Sequence, residues 1–70
     1  MVLSQLRVGE TARIVTVMGG RGMRHKLSLR GLKEGKILRV VSNYGPVTVE
    51  IDRNVIAMGR GMAQKVVVQK

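Results

Sequence analysis

Residues 27–35, with the sequence L-S-L-R-G-L-K-E-G, constrain the fold of this chain more than any other stretch. They predict the end of a helix, a glycine turn and the start of a strand. Gly31 stands where a glycine in the left-handed conformation commonly closes a helix, and Gly35 stands in a turn that favours a positive φ. The good helix formers of residues 21–30 predict the helix, and residues 36–42 are typical of a strand.

Short apolar segments separated by turn residues predict a mainly β fold. The clearest alternation lies in Val47–Ile51, where every second residue is aliphatic and is expected to face inward. Tyr44 is the only aromatic residue, so the core must be aliphatic. Short strands joined by tight turns suggest a small closed or partly closed barrel. The predicted strands cover residues 11–18, 36–42, 47–51, 55–58 and 66–68.

The first predicted strand has apolar residues on both faces. Simple alternation places Ala12, Ile14, Thr16 and Met18 on one face, and Arg13, Val15 and Val17 on the other. Since Val15 and Val17 are apolar, this pattern predicts burial on both sides or an interface on the outer face. Self-association of the chain is one form that such an interface takes.

The charge of the chain favours an anionic partner. Lysine and arginine number 13 against four acidic residues, which gives a net charge of +9. Six basic residues and no acidic residue lie between Glu10 and Glu34. Such a field attracts nucleic acid, a phospholipid surface or an acidic protein. The alternative is that the basic side chains only solvate a small domain.

Few residues are suited to metal binding or catalysis. The chain has no cysteine, and its one histidine, His25, is flanked by basic residues that oppose a cation. Glu50 and Asp52 are two apart on or beside one strand, without a third ligand, and are expected to form a solvated face. Ser28 and His25 have helical spacing but no acidic residue to orient the histidine. We therefore predict a protein that is not an enzyme and has no metal or cofactor of its own.

In their order along the chain, these segments resemble the ferrous iron transport protein A (FeoA) family. The resemblance rests on V-G-E at residues 8–10, R-H-K-L-S-L-R-G-L-K-E-G at 24–35, two strands around Gly45-Pro46, and I-A-M-G-R-G-M-A-Q-K-V-V-V at 56–68. It implies a single domain over residues 1–70. The implied fold is a small SH3-like β-barrel of about five short strands, with one short α-helix between the first two.

The resemblance also implies a function and a partner. It implies a small cytoplasmic accessory protein of bacterial or archaeal ferrous iron uptake, without membrane insertion. The expected partner is the membrane ferrous iron transporter, which carries a cytoplasmic nucleotide-binding domain. We predict that the basic helix and the turn after it form the contact surface, through Arg21, Arg24, His25, Lys26, Leu29, Arg30 and Leu32.

Two other functions stay open at this point. A basic barrel also suits nucleic acid, but Tyr44 is the only side chain on which a base could stack, and no groove-reading motif is present. Nucleic acid is therefore the less favoured partner. A metal-responsive regulatory domain is the other alternative, since a related domain occurs at the carboxyl-terminal end of iron-dependent repressors.

Overall fold

All five predicted strands form one antiparallel sheet, in the order β4-β3-β2-β1-β5. The structure is a computed structural model that describes residues Met1–Lys70. Since β5 pairs with β1, the last strand lies beside the first, and β4 and β5 form the two edges of the sheet. The predicted helix lies between the first two strands. In chain order the elements are a 3₁₀ turn Leu3–Gln5, β1 Thr11–Val17, α1 Arg21–Leu29, β2 Ile37–Ser42, β3 Val47–Ile51, β4 Asn54–Met58, α2 Arg60–Ala63 and β5 Val66–Gln69.

Two β-bulges bend the sheet. One of them reverses the faces that were predicted for the end of β1. The register shifts between Ile14 and Thr16, where β1 pairs with β5, so that Val15 is the extra residue. Beyond the bulge the alternation moves by one residue. Val17 is therefore buried, with 6% of its surface exposed, whereas Met18 is 49% exposed. Simple alternation gave these two residues the opposite faces.

A single aliphatic cluster of 17 buried residues forms the core, and no polar side chain is buried. The three inward positions predicted in Val47–Ile51 are all part of it. Leu3 and Leu6, from the segment before β1, also belong to the core. None of the helices has the length and apolar character needed to cross a membrane.

The predicted helix end is confirmed in detail. Gly31 has a φ of 102°, and its N–H donates to the carbonyl of Ser28 at 3.0 Å. The N–H of Leu32 donates to the carbonyl of Leu27, also at 3.0 Å. These two bonds form a Schellman motif, which commonly brings two apolar side chains together across the helix end. Here both leucines are buried. Gly35, with a φ of 88°, ties the following turn to β1 through an N–H bond to the carbonyl of Ile14.

The two ends of the chain meet beside β5. Val2 forms an isolated antiparallel bridge with Val67, and the N–H of Val68 donates to the carbonyl of Met1 at 2.8 Å. We call residues 1–2 the N-terminal strap. Because the strap pairs along β5, the outer edge of that strand is covered where the strap lies.

Glu10 joins the start of β1 to the last residue of the chain. Its carboxylate forms an ion pair with the amino group of Lys70 and accepts a hydrogen bond from the N–H of Arg7 at 2.6 Å. The hydrogen bond from Lys70, followed by that from the Arg7 backbone, lowers the pKa of Glu10 below its ordinary value. Both interactions are stronger with the ionised carboxylate than with the neutral acid.

Candidate partner-binding surface

Helix α1 places a band of cations on the surface. Its buried side carries Leu27, with Met23 packed against the core from a half-buried position. Residues 21, 24, 25, 26 and 30 are all exposed. We call this set the basic helix surface; it consists of Arg21, Arg24, His25, Lys26 and Arg30.

The two leucines predicted for this surface separate into different environments. Leu29 is 74% exposed, whereas Leu32 is 2% exposed and belongs to the core. Both leucines were predicted for the contact surface, but α1 ends at Leu29. The chain then turns at Gly31 and directs Leu32 inward. Leu29 therefore stays a candidate contact residue, whereas burial leaves little of the Leu32 side chain for a partner to contact.

A shallow groove separates α1 from the turn that follows it. Its volume is about 450 Å³, and Val17 and Leu32 are its two apolar lining residues. The guanidinium Nη2 of Arg24 reaches Oε1 of Glu34 across it at 3.7 Å. The remaining lining residues are polar or charged: Arg24, His25, Ser28, Lys33 and Glu34. Basic side chains outnumber the one acid, so the groove favours an anionic side chain.

Ser28 and His25 do not form a catalytic pair. The hydroxyl of Ser28 donates to the backbone carbonyl of His25 at 2.9 Å. This is a local bond along the helix, of a kind common for serine. The serine proton is therefore directed at the backbone, and no acidic residue forms an ion pair with the imidazole.

Every acidic residue already faces a cation. Glu50 lies 3.2 Å from Arg39, Asp52 lies 2.7 Å from Lys36, and the other two acids pair with Arg24 and Lys70. No group of three metal-ligating side chains is present. Exposed pairs of this kind contribute little to stability, but they leave nine of the 13 basic side chains without an acidic partner. Three of those nine lie on the basic helix surface, at positions 21, 26 and 30.

The comparisons with known proteins assign this chain to a family. The sequence model of the FeoA domain matches residues 1–70, which is the whole chain. The chain belongs to the FeoA domain family. FeoA proteins are non-enzymatic accessory proteins associated with ferrous iron transport. The predicted family and the absence of enzymatic function are thereby confirmed.

Solved structures show the same fold. An iron uptake regulatory protein, FeoA, is 30% identical and superposes with a TM-score of 0.92, covering 99% of this chain and 95% of its own. The zinc complex of FeoA from Stenotrophomonas maltophilia, an SH3 domain protein, is 24% identical with a TM-score of 0.86, over 99% of this chain and 89% of that one. The predicted SH3-like architecture is confirmed. A search of curated protein sequences finds no match.

The FeoA fold also occurs inside a longer protein. IdeR of T. acidophilum is 27% identical, with a TM-score of 0.90 over 99% of this chain. The present chain corresponds to only 33% of that protein. The FeoA domain is therefore a module that is found alone and as one part of a longer chain.

Sequence reasoning missed one exposed surface of this FeoA domain. Val55 in β4 is 64% exposed, and it lies beside Leu29 and Arg30 in a second groove. The signal was present in the sequence, since β4 has two adjacent β-branched residues and no charge. Only the sheet order shows that β4 is an edge strand.

Proposed function

We propose that this FeoA domain is a cytoplasmic accessory protein of bacterial or archaeal ferrous iron uptake. It docks on the cytoplasmic part of the membrane ferrous iron transporter through the basic helix surface and modulates the transporter. The observation that carries this proposal is the match of the FeoA domain over residues 1–70. The position of the unpaired cations on α1 supports the choice of surface.

The electrostatics of α1 define the partner surface that fits it. Arg21, Lys26 and Arg30 are exposed and have no acidic partner within the chain. Exposed charges of one sign speed the encounter with a surface of the opposite sign and select against partners of the same sign. The docking surface of the transporter is therefore acidic, and the association rate falls as salt is added.

Leu29 supplies the apolar part of the contact. Its side chain is 74% exposed and lies next to Arg30 at the end of α1. Full burial of a leucine contributes roughly 1.5–3 kcal/mol. A contact centred here combines an apolar residue with surrounding cations, which is an arrangement common in protein interfaces.

Titration against the isolated cytoplasmic domain of the transporter, by calorimetry at low and physiological salt, tests the docking. The double variant Arg21→Glu/Lys26→Glu should weaken binding by at least about tenfold, equivalent to about 1.4 kcal/mol. The matched control is Arg7→Glu/Arg13→Glu, which changes the net charge equally at exposed positions outside α1. The control should retain affinity within about threefold.

Several results would overturn the proposal. The docking would be refuted by no binding at low salt, where the attraction is strongest. Equal loss in both double variants would show that net charge, and not the helix, is recognised. Binding without any change in nucleotide hydrolysis or iron uptake by the transporter would remove the modulating role.

The same samples separate the two rival functions. Titration of an oligonucleotide at two salt concentrations should show only weak binding; tight binding that falls steeply with salt would favour a nucleic-acid role. Adding ferrous iron or zinc to the ¹⁵N-labelled protein should leave the amide resonances unchanged. Specific shifts at a stoichiometric metal concentration would favour a metal-responsive role.

A further inference from the structure

Of the two outer edges of the sheet, one is paired with another segment of the chain and the other is open. The edge of β5 is paired with the N-terminal strap, through Val2 and Met1. The edge of β4 has β3 as its only sheet neighbour and no strand on its other side. An open edge presents unpaired N–H and C=O groups and is a template for another strand.

The register of the β3–β4 hairpin fixes which backbone groups are free. The turn between the strands consists of Asp52 and Arg53, both with positive φ, and Ile51 pairs with Asn54 directly across it. In a two-residue hairpin this flanking pair exchanges hydrogen bonds, and the pattern then alternates. The N–H and C=O groups of residues 55 and 57 therefore point outward. Neither residue takes part in any backbone hydrogen bond to a turn or loop.

A groove of about 460 Å³ runs between this edge and the end of α1. It is lined by Leu29, Arg30, Asn54, Val55, Ile56 and Ala57, and we call it the β4 groove. Proteins usually protect an exposed edge with lysine, proline or a bulge. β4 contains none of these, and its pairing with β3 runs without a register shift. The edge is thus flat, uncharged and beside an apolar side chain.

The charges around the β4 groove select its occupant. Arg30 lines the groove and Arg53 ends the hairpin turn directly before β4, and neither has an acidic partner. A second copy of this chain would bring another net charge of +9 to the same edge, and such repulsion opposes self-pairing. An acidic segment is attracted instead.

We propose that the β4 groove binds an extended, acidic segment of a partner protein, which adds to the sheet as a sixth strand along β4. The backbone of residues 55 and 57 supplies the hydrogen bonds. Apolar side chains of the segment pack on Leu29 and Val55, and its acidic side chains face Arg30 and Arg53. The β4 groove shares Leu29 and Arg30 with the docking surface proposed above and adds the edge of β4 to it.

A peptide titration followed by ¹⁵N NMR tests the inference. The probe is the acetylated and amidated peptide Glu-Val-Glu-Val-Glu-Val-Glu. Its binding should shift the amides of residues 55 and 57 most and should give cross-strand contacts to β4. Val55→Glu should weaken binding about fivefold, since like charges on neighbouring strands repel. The matched control is Val41→Glu, which adds the same charge at an exposed valine in the central strand β2.

Two further measurements on the unchanged protein keep the test independent of how the variants fold. N-methylation of alternate peptide residues removes backbone donors and should lower affinity by more than about fivefold. Replacing the peptide glutamates by lysines should abolish binding. The inference is overturned if the N-methylated or lysine peptide binds equally well, or if both valine variants lose affinity equally. Sedimentation that reveals a dimer sensitive to Val55→Glu would also overturn it, in favour of a second copy.

Discussion

Replacing Leu32 by alanine tests the division of the turn after α1 into a buried side and an exposed side. Leu32 is 2% exposed, so the change removes about three carbon groups from a fully packed site. At about 0.8 kcal/mol for each buried group, the lost transfer free energy is about 2.4 kcal/mol. The cavity left behind adds to this, and buried leucine-to-alanine changes typically cost about 3–5 kcal/mol.

That loss is large for a chain of this size. A 70-residue domain has a free energy of unfolding of roughly 4–10 kcal/mol. Each kilocalorie lowers the melting temperature of such a small domain by about 4–8 °C. We therefore expect Leu32→Ala to lower it by roughly 12 °C or more.

Leu29→Ala is the matched control, because it removes the same atoms three residues earlier. Leu29 is 74% exposed, so only about a quarter of the transfer free energy applies, about 0.6 kcal/mol. Urea unfolding followed by far-UV circular dichroism measures both variants, since the chain has no tryptophan and a single tyrosine. Equal losses, or a larger loss for Leu29→Ala, would refute the assignment of Leu32 to the core.

Three other predictions use the same unfolding measurement. Because the folded state lowers the pKa of Glu10, the ionised carboxylate stabilises the fold above the usual glutamate pKa of about 4.3, and this contribution disappears as the pH falls through the lowered pKa. The difference in unfolding free energy between the wild type and Glu10→Gln should therefore close on acidification. A difference that persists at pH 2 would contradict this. Arg53 has a φ of 70°, so Arg53→Gly should stabilise the hairpin turn by about 0.5–1 kcal/mol. A loss of stability would show that the arginine side chain contributes more than its backbone strain costs. Gly31→Ala should destabilise the fold by about 1–2 kcal/mol, because φ is 102° there. Gly22→Ala should stabilise it by about 0.5–1 kcal/mol, because Gly22 lies inside α1 and an added Cβ would meet no other atom within 4 Å. The same sign for both changes would contradict the helix-end assignment.

Local sequence signals predicted the helix and the strands. The structural features that these signals missed depend on pairing between distant parts of the chain. The alternation in Val47–Ile51 and the glycine at position 31 depend on neighbouring residues only, so both predictions are confirmed. The bulge at Val15 depends on how β1 meets β5, more than 50 residues later, and no local pattern reveals it. The exposed edge at Val55 likewise depends on sheet order.

The candidate surface was predictable to a similar extent. Charge and helical spacing located the basic helix surface, because cations on a short helix have few ways to be buried. The burial of Leu32 was not predictable in this way, since α1 ends before that residue and the direction of its side chain depends on the turn. The chain reversal at Gly31 separates two leucines that look equivalent in the sequence.

The N-terminal strap also determines how the domain would respond to mechanical force. Residues 1–2 run antiparallel to the end of β5, so the amino and carboxyl ends leave the domain at the same point. A force that separates the two ends would act on these hydrogen bonds one after another and not on all of them together. The strap would therefore detach at low force while the barrel stays folded. Once it is gone, the edge of β5 is as open to another strand as that of β4.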